Sequence, residues 1–388
     1  MAKKKQDPIQ KIITATQAYN CLDCGKCSAV CPISLLNNEC LPRLTVTKAL
    51  IESPEVLMED ELLWSCLNCG LCYERCELEV KFHEFVRDLR VEARKIGREG
   101  IYAHGGTLHS WMTMMTDPDL KQKRLDWVTE DLKIKEEGDV IYLVEDLPYY
   151  DRFFTDLNVQ PLDIARSTIK ILNHLGIEPV LMPNERCCGH DLLWTGDVDT
   201  FKKLAELNTE AIKATGAKTI ITACPEVYHT LSVEYPKYVG KLGAKVVHLS
   251  QFLANRLSDL DLAPLKKRVT YQDPCRLGRF CGIYEEPRTI ISAIEGVELC
   301  EMNRNRKSAI CCGTSGWLNC GTCNKQIQTD RLTEAKNTGA DMLITACPKC
   351  AIHFACALHD EDVPAAARIE IKDLTVLVAE QLKDTSST

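Results

Sequence analysis

The chain has 388 residues, a formal net charge of −8 at pH 7 and 22 cysteines. It is too long for a small disulfide-stapled scaffold, its apolar residues form no run of the ~18 needed to span a membrane, and its negative charge argues against a nucleic-acid partner. We therefore expect about two or three domains that keep their thiols free in a reducing compartment.

The first cysteine pattern lies near the N-terminus. It follows a basic stretch, Lys3–Lys5, that leads into no apolar segment, so we predict a frayed terminus without a signal peptide. The spacing is C-x2-C-x2-C-x3-C, and the same spacing returns further along the chain. The first run comprises Cys21, Cys24, Cys27 and Cys31. The second run comprises Cys66, Cys69, Cys72 and Cys76.

This spacing is typical of loops that bind iron–sulfur clusters. Three cysteines of one loop reach three corners of a 4Fe–4S cube, and the fourth ligates the other cluster. Gly25 and Gly70 occupy the same place in the two loops, where the backbone must bend. Structural zinc is the alternative, but two complete four-cysteine runs favour two cubane clusters. The predicted ligand sets are crossed: Cys21, Cys24, Cys27 and Cys76 for the first cluster, and Cys66, Cys69, Cys72 and Cys31 for the second.

Helices are predicted between and after the two runs. Apolar patches at helical spacing occur at Lys48–Ile51 and Val56–Met58, with Pro54 between them, and a further helix is predicted around Phe82–Val91. Residues 1–100 are therefore predicted to form an all-helical ferredoxin module with two clusters.

From residue 139 the pattern changes to short apolar strands that alternate with helices, and an internal repeat appears. The segment Thr215–Pro225 matches Thr338–Pro348, and a Cys-Cys-Gly triplet precedes each. Such alternation predicts parallel sheets, with ligands on loops at the carboxyl ends of strands. We predict a connector, residues 101–138, followed by two pseudo-repeated α/β subdomains, residues 139–265 and 266–388. The fold class is thus multidomain, α plus α/β.

The second half carries a complete pattern of five cysteines. Five thiols exceed the four that a cube needs, and adjacent cysteines do not easily serve neighbouring corners of one cube. The five residues are Cys275, Cys311, Cys312, Cys347 and Cys350.

This arrangement resembles the Cys-Cys-Gly domain found in the B-type subunit of heterodisulfide reductase. Together with the two-cluster module ahead of it, which resembles the C-type subunit, the whole chain resembles the D-type subunit, in which the two are fused. The resemblance covers nearly all of residues 15–380. It implies that the five cysteines hold a noncubane 4Fe–4S cluster, at which the family binds and splits a disulfide in one-electron steps. The resemblance therefore also implies that these five cysteines form the catalytic site of this chain.

The first half departs from the complete pattern. Alignment of strand ends places Asp146 at the position of Cys275, whereas counting back from the triplet selects Asp151. We prefer Asp146, because the distance from strand to ligand should vary less than loop length. Val227 stands where Cys350 would be. The five-thiolate cluster is therefore not expected here.

Three cysteines remain in the first half: Cys187, Cys188 and Cys224. Soft ligands that no longer bind metal have no evident reason to stay clustered, so we expect a metal here. Zinc and an ordinary cluster are the alternatives, with Asp146, His190 or His229 as a further ligand. A vestige without metal is the remaining interpretation.

Other cysteines have weaker patterns. Cys320 and Cys323 form a C-x-x-C, which could be a redox dithiol or an extra ligand pair, but we prefer incidental small residues at a helix start. The cysteines expected only to pack are Cys40, Cys281, Cys300 and Cys356.

Three charged or titratable residues lie near the five-cysteine pattern. Arg276 and Arg279 flank Cys275 and could steady an anionic substrate or the charge of a cluster, with ordinary surface ion pairs as the alternative. His353 could donate to a cluster sulfur, but we expect a core histidine.

The electron source must lie in a partner, since no G-x-G-x-x-G fingerprint or P-loop is found. The resemblance implies a flavoprotein similar to the A-type subunit of heterodisulfide reductase, which passes electrons through the two cubanes to the noncubane cluster, where a disulfide or a partner is reduced. The alternative is a non-catalytic electron-transfer subunit of a larger complex, either electron-bifurcating or joined to a membrane cytochrome. We expect a cytoplasmic protein of an anaerobe, associated with a membrane only through a partner.

Overall fold

A computed structural model describes residues 7–383. The basic Lys3–Lys5 stretch lies outside the described residues. The chain combines helices with parallel sheet, as the sequence predicts, and the helix-only part comes first. No helix in residues 7–383 is long and apolar enough to cross a membrane.

Residues 7–100, which we call the N-terminal module, contain helices and turns. Asp7 caps the first helix by accepting from the backbone N–H of Ile9, and Pro8 occupies the first turn, where its missing N–H costs nothing. Pro54 begins a helix, so the predicted break is a helix start. The helices are α1 (Pro8–Ala15), α2 (Lys26–Val30), α3 (Pro42–Ile51), α4 (Pro54–Met58), α5 (Glu61–Ser65) and α6 (Phe82–Lys95).

The connector, residues 101–138, carries one α-helix, α7 (Thr107–Met114), and is bound to residues 139–265. Arg124 is 3% exposed and donates to the backbone carbonyls of Glu185 and Glu145 at 2.7 and 2.5 Å. A buried guanidinium with carbonyl and carboxylate partners fixes the path of this segment.

The first half, residues 139–265, contains a three-stranded parallel sheet in the order β1–β2–β3. Its strands are β1 (Val140–Tyr142), β2 (Thr219–Thr222) and β3 (Lys245–His248). Its helices are α8 (Leu147–Phe153), α9 (Pro161–His174), α10 (His190–Trp194), α11 (Val198–Thr215), α12 (Pro225–His229), α13 (Tyr235–Tyr238) and α14 (Leu249–Ala254).

The second half, from residue 266 onward, contains a four-stranded parallel sheet in the order β5–β4–β6–β7. Its strands are β4 (Lys267–Gln272), β5 (Val297–Leu299), β6 (Met342–Thr345) and β7 (Glu370–Asp373). Its helices are α15 (Glu285–Ser292), α16 (Thr322–Lys336), α17 (Pro348–His359) and α18 (Leu374–Glu380).

The buried cores cross these regions. One core contains Phe85 and Leu89 of α6 together with Leu343 of β6, so it joins the N-terminal module to the second half. A second core contains Ile221 of β2 together with Ile344 of β6, so it joins the two halves. Because apolar burial is the main favourable term in folding, these shared cores hold the cysteine-bearing loops in one body.

Candidate metal centres

The first predicted ligand set surrounds one cavity of the N-terminal module. The cavity has a volume of about 140 Å³. Gly25 adopts a φ of +79°, a left-handed conformation that L side chains rarely take, and it turns the loop around the cavity. Cys24 is exposed, so this site reaches the surface. The cysteines that line it are Cys21, Cys24, Cys27, Cys72 and Cys76.

The second predicted set lines a neighbouring cavity, deeper in the molecule. Burial raises the pKa of the Cys66 thiol to about 12, so a thiolate there requires the positive charge of bound metal. Gly70 has a φ of +75°, and a Cβ at this position would lie 3.1 Å from the Phe280 ring. The second half therefore packs directly onto this loop. The cysteines that line the cavity are Cys31, Cys66, Cys69 and Cys72.

The sulfur atoms of these sets are spaced too widely for a single ion. Among residues 7–383, groups of three ligand atoms that all lie within 4.8 Å of one another occur at Glu145–Cys187–Cys188 and at His190–Asp191–Glu226, and not in either N-terminal set. The three sulfurs of each loop therefore lack the close grouping that one zinc ion would need.

The five cysteines of the second half form one contiguous group. Each thiol lies close enough to the next to shift its pKa, in the order Cys275, Cys311, Cys312, Cys350 and Cys347. The topology explains this convergence, because β4 and β6 are neighbours and their carboxyl ends lead to Cys275 and Cys347.

The electrostatics of this group favour one thiolate. A hydrogen bond with the Cys311 thiol lowers the pKa of Cys312 to about 6, while a hydrogen bond with Cys312 raises the pKa of Cys350 well above its ordinary value. Five neighbouring thiolates would repel one another strongly in this buried site. A bound cation would be needed to hold all five deprotonated.

His353 contacts the five-cysteine group directly. Its Nδ1 lies 3.3 Å from the sulfur of Cys312, and its ring packs edge-on against Trp317. Burial, reinforced by the nearby charge of Lys349, lowers the pKa of His353 to about 4, so the ring is neutral at pH 7. The histidine is buried, as the sequence analysis expects, but it touches a candidate ligand rather than only the core.

Arg276 and Arg279 join the second half to the second N-terminal loop. Arg276 is 2% exposed and donates to the carbonyl of Asn68 at 3.1 Å. Arg279 donates to the carbonyls of Cys69 and Ala309 at 2.7 and 2.6 Å. Both arginines therefore bind backbone carbonyls of the cysteine loops instead of forming the surface ion pairs considered from the sequence, and Arg279 also lies near the sulfurs of Cys69, Cys275 and Cys311.

The first half gathers a smaller group around its Cys-Cys-Gly triplet. Asp146 follows β1, and its Oδ2 accepts from the Cys187 thiol at 3.2 Å. The adjacent Glu145 accepts from the backbone N–H of Cys188 at 2.8 Å, and its carboxylate groups closely with the two sulfurs. Asp151, by contrast, lies on α8 and accepts from the backbone of Leu162. Glu145 was not among the residues predicted from the sequence, although two successive acids after a strand were a visible signal.

The other candidates of the first half lie outside the Glu145 group. Cys224 packs against the same apolar core as Cys187 and Cys188, and burial, followed by the charges of Cys347 and Glu145, raises its pKa. Val227 is fully buried on α12. His190 contacts Arg276 at 3.1 Å, and His229 lies 3.9 Å from Glu234. Neither histidine joins the Cys187–Cys188 pair.

A buried ionic cluster lies between the two halves. Lys349 of α17 is 3% exposed, and its ammonium lies 2.5 Å from Asp191 and 2.9 Å from Glu226. The two acids belong to α10 and α12, which follow Cys188 and Cys224. This bridge fixes the triplet loop of the first half against the helix that carries Cys350.

Two family models match the chain. The 4Fe-4S dicluster domain matches residues 17–80, and the CCG model, described as a cysteine-rich domain, matches residues 157–232 and 269–355. The chain is therefore an iron–sulfur protein with a ferredoxin-type domain and Cys-Cys-Gly domains.

Two similar proteins match nearly the whole chain, and a third matches about half of it. The D subunit of dihydromethanophenazine:CoB--CoM heterodisulfide reductase from Methanosarcina acetivorans is 32% identical over 98% of this chain and 99% of its own. The protein of the same name from Methanosarcina barkeri is 30% identical over the same shares. The B subunit of fumarate reductase (CoM/CoB) from Methanothermobacter marburgensis is 33% identical, over 55% of this chain and 43% of its own.

The chain belongs to the family of D-type heterodisulfide reductase subunits. It is an iron–sulfur oxidoreductase subunit, and the resemblance inferred from the cysteine pattern is confirmed.

Proposed function

We propose that this protein is the iron–sulfur subunit of a redox complex and that its five-cysteine site reduces a disulfide. Two cubane clusters would be held by the crossed N-terminal sets, and a noncubane 4Fe–4S cluster by Cys275, Cys311, Cys312, Cys347 and Cys350. When bound, these clusters supply one-electron transfer. The chain supplies their ligands, spacing and burial.

The continuity of the three cysteine sets carries this proposal. Cys72 lines both N-terminal cavities. Cys69 then lies close enough to Cys311 for its charge to affect the pKa of that thiol, and Arg279 stands close to both sulfurs and to Cys275. A surface site, a deeper site and the five-cysteine site therefore follow one another through the molecule.

The partner is proposed to dock at the surface site. Cys24 is exposed, and next to it Leu22 is 77% exposed and Leu78 is 37% exposed. Exposed apolar side chains around a redox site suit a short-lived contact with another protein. We propose a flavoprotein similar to the A-type subunit of heterodisulfide reductase, since the relatives are subunits of reductases.

We also propose that the N-terminal module ends at residue 100, the connector at residue 138 and the first Cys-Cys-Gly subdomain at residue 265.

The disulfide reduction itself has a direct test. The anaerobic protein is reduced with a chemical reductant and mixed with a disulfide of two small thiols, and thiol release is followed. Thiol formation coupled to reoxidation of the clusters supports the proposal. Reoxidation by an electron acceptor without any thiol release would instead favour a non-catalytic electron-transfer subunit, which the incomplete first half also favours.

Replacement of Cys76 by serine tests the crossed ligands. Because Cys76 lines the cavity of Cys21, Cys24 and Cys27, the variant should lose the signal of that cluster and about four irons. Paramagnetic resonance of the reduced protein and iron analysis measure both. Cys300→Ser, at a partly exposed cysteine, is the control and should keep full iron content. Damage confined to the Cys66 site would show that the ligands are not crossed.

The first Cys-Cys-Gly site is proposed to bind zinc rather than a five-thiolate cluster. Two thiols and the Glu145 carboxylate lie within bonding range of one ion, and this mixed donor set suits zinc. We expect anomalous scattering at the zinc edge between Cys187 and Cys188, and Cys187→Ser should remove zinc while leaving iron content unchanged. Density for a complete noncubane cluster at this position would disprove the assignment.

A further inference from the structure

A second pair of thiols lies outside the proposed metal centres. Cys320 precedes α16 and is exposed, whereas Cys356 lies on α17 and is partly buried. The two thiols lie close enough for each to shift the pKa of the other. The sequence predicted packing roles for both, and its only pairing for Cys320 was with Cys323. The packing of α16 against α17 instead brings Cys356 to Cys320.

Lys325 completes this arrangement. Its ammonium lies 3.1 Å from the sulfur of Cys356, and it also contacts the carbonyl of Cys356 and the carboxylate of Asp360, each at 3.1 Å. A cation at this distance stabilises a thiolate. The neighbouring Cys320 thiol, and then the contact with Lys325, lower the pKa of Cys356 to about 5.

The pair does not resemble a metal site. Within residues 7–383, neither cysteine belongs to a group of three ligand atoms at the mutual distances that one ion requires. A thiolate, a neighbouring thiol and a lysine are the groups that thiol–disulfide exchange uses: a nucleophile, a resolving thiol and a cation that stabilises the nucleophile.

We propose that Cys320 and Cys356 form a redox-active dithiol that exchanges with low-molecular-mass disulfides. The Cys356 thiolate attacks one sulfur of the small disulfide, a Cys356–sulfur bond forms, and the old sulfur–sulfur bond breaks with release of one small thiolate. Cys320 then loses its proton and attacks the Cys356 sulfur, which releases the second thiolate. The Cys320 proton ends on one of the released thiolates, and the other thiolate takes a proton from water. The protein dithiol is oxidised to a disulfide, and the small disulfide is reduced.

This activity is separate from electron delivery at the five-cysteine site, since it needs neither iron nor a redox partner. α17 carries both Cys350 and Cys356, so the two chemistries share one helix. The two can be told apart, because the dithiol is consumed once per protein molecule whereas reduction at the clusters continues as long as reductant is supplied.

Peptide mass spectrometry tests the proposal on the anaerobic, cluster-loaded protein. The protein without added reductant is incubated with oxidised glutathione, alkylated and digested. We expect a disulfide between Cys320 and Cys356. Cys320→Ser should stop at a glutathione adduct on Cys356, and Cys356→Ser should form neither product. Cys323→Ser is the matched control, because it removes the other half of the C-x-x-C, and it should form the same disulfide as the wild type.

The contribution of Lys325 has its own readout. In the Cys320→Ser background, Lys325→Met should slow adduct formation on Cys356 about tenfold near pH 6, because less of the thiol is ionised. A disulfide between Cys320 and Cys323 would overturn the proposal. Full alkylation of both Cys320 and Cys356 after glutathione treatment, together with no adduct in Cys320→Ser, would overturn it as well.

Discussion

Replacement of Cys312 by serine is expected to abolish electron delivery at the five-cysteine site. Serine offers a harder oxygen donor, and the Cys312 sulfur is central to the group because it contacts both Cys311 and Cys350. Disulfide reduction should fall below about 1% of the wild-type rate, since loss of a ligand exceeds the 10- to 100-fold effect of outer-shell changes. The signals of both N-terminal clusters should remain reducible.

Cys281→Ser is the matched control for this experiment. Cys281 is partly buried and lies on the same loop as Cys275, but it belongs to none of the proposed ligand sets. Its variant should keep the third cluster and the activity. A Cys312→Ser protein with full iron content and full activity would mean that the Cys-Cys-Gly site is not where this protein works.

Replacement of Arg90 by leucine is expected to destabilise the folded protein by about 3 kcal/mol or more. Arg90 is fully buried and donates to the carbonyls of Leu63, Trp194 and Cys66 at 2.6, 2.8 and 2.8 Å. Leucine would leave these three carbonyls without donors in a buried site. The midpoint of thermal unfolding of the cluster-loaded protein measures the loss.

Arg98→Ala provides the comparison. Arg98 forms an ion pair with Glu59, but the two side chains are 57% and 66% exposed, so its removal should change stability by no more than about 0.5 kcal/mol. Equal shifts in the two variants would show that Arg90 does not hold the N-terminal module to the first half.

The sequence alone was enough to predict those features that depend on the spacing of residues close together in the chain. The C-x2-C-x2-C-x3-C runs place three sulfurs on one tight loop whatever surrounds them, and the change to strand–helix alternation at residue 139 predicts parallel sheets. Cys275 and Cys347 could be assigned to one site because each follows a strand, and the structure pairs those strands.

Contacts between segments that lie far apart in the chain could not be predicted from the sequence. Arg90 looks like an ordinary polar residue of an amphipathic helix, and only the fold places Trp194 beside it. The C-x-x-C suggested a local pair for Cys320, whereas helix packing supplied Cys356. Arg279 could not be recognised as a tie between loops, because Cys69 lies far from it along the chain. Such contacts leave no periodicity or spacing in the sequence.

The core shared by the N-terminal module and the second half sets an order on how the chain folds during synthesis. Phe85 and Leu89 leave the ribosome early, but Leu343 and Ile369, which pack in the same core, are made near the end. Chains commonly fold from the N-terminus as they emerge. Here the first segment to appear must wait for one of the last, so we expect the loops with the eight cysteines of the two N-terminal runs to stay incompletely buried until translation is almost finished.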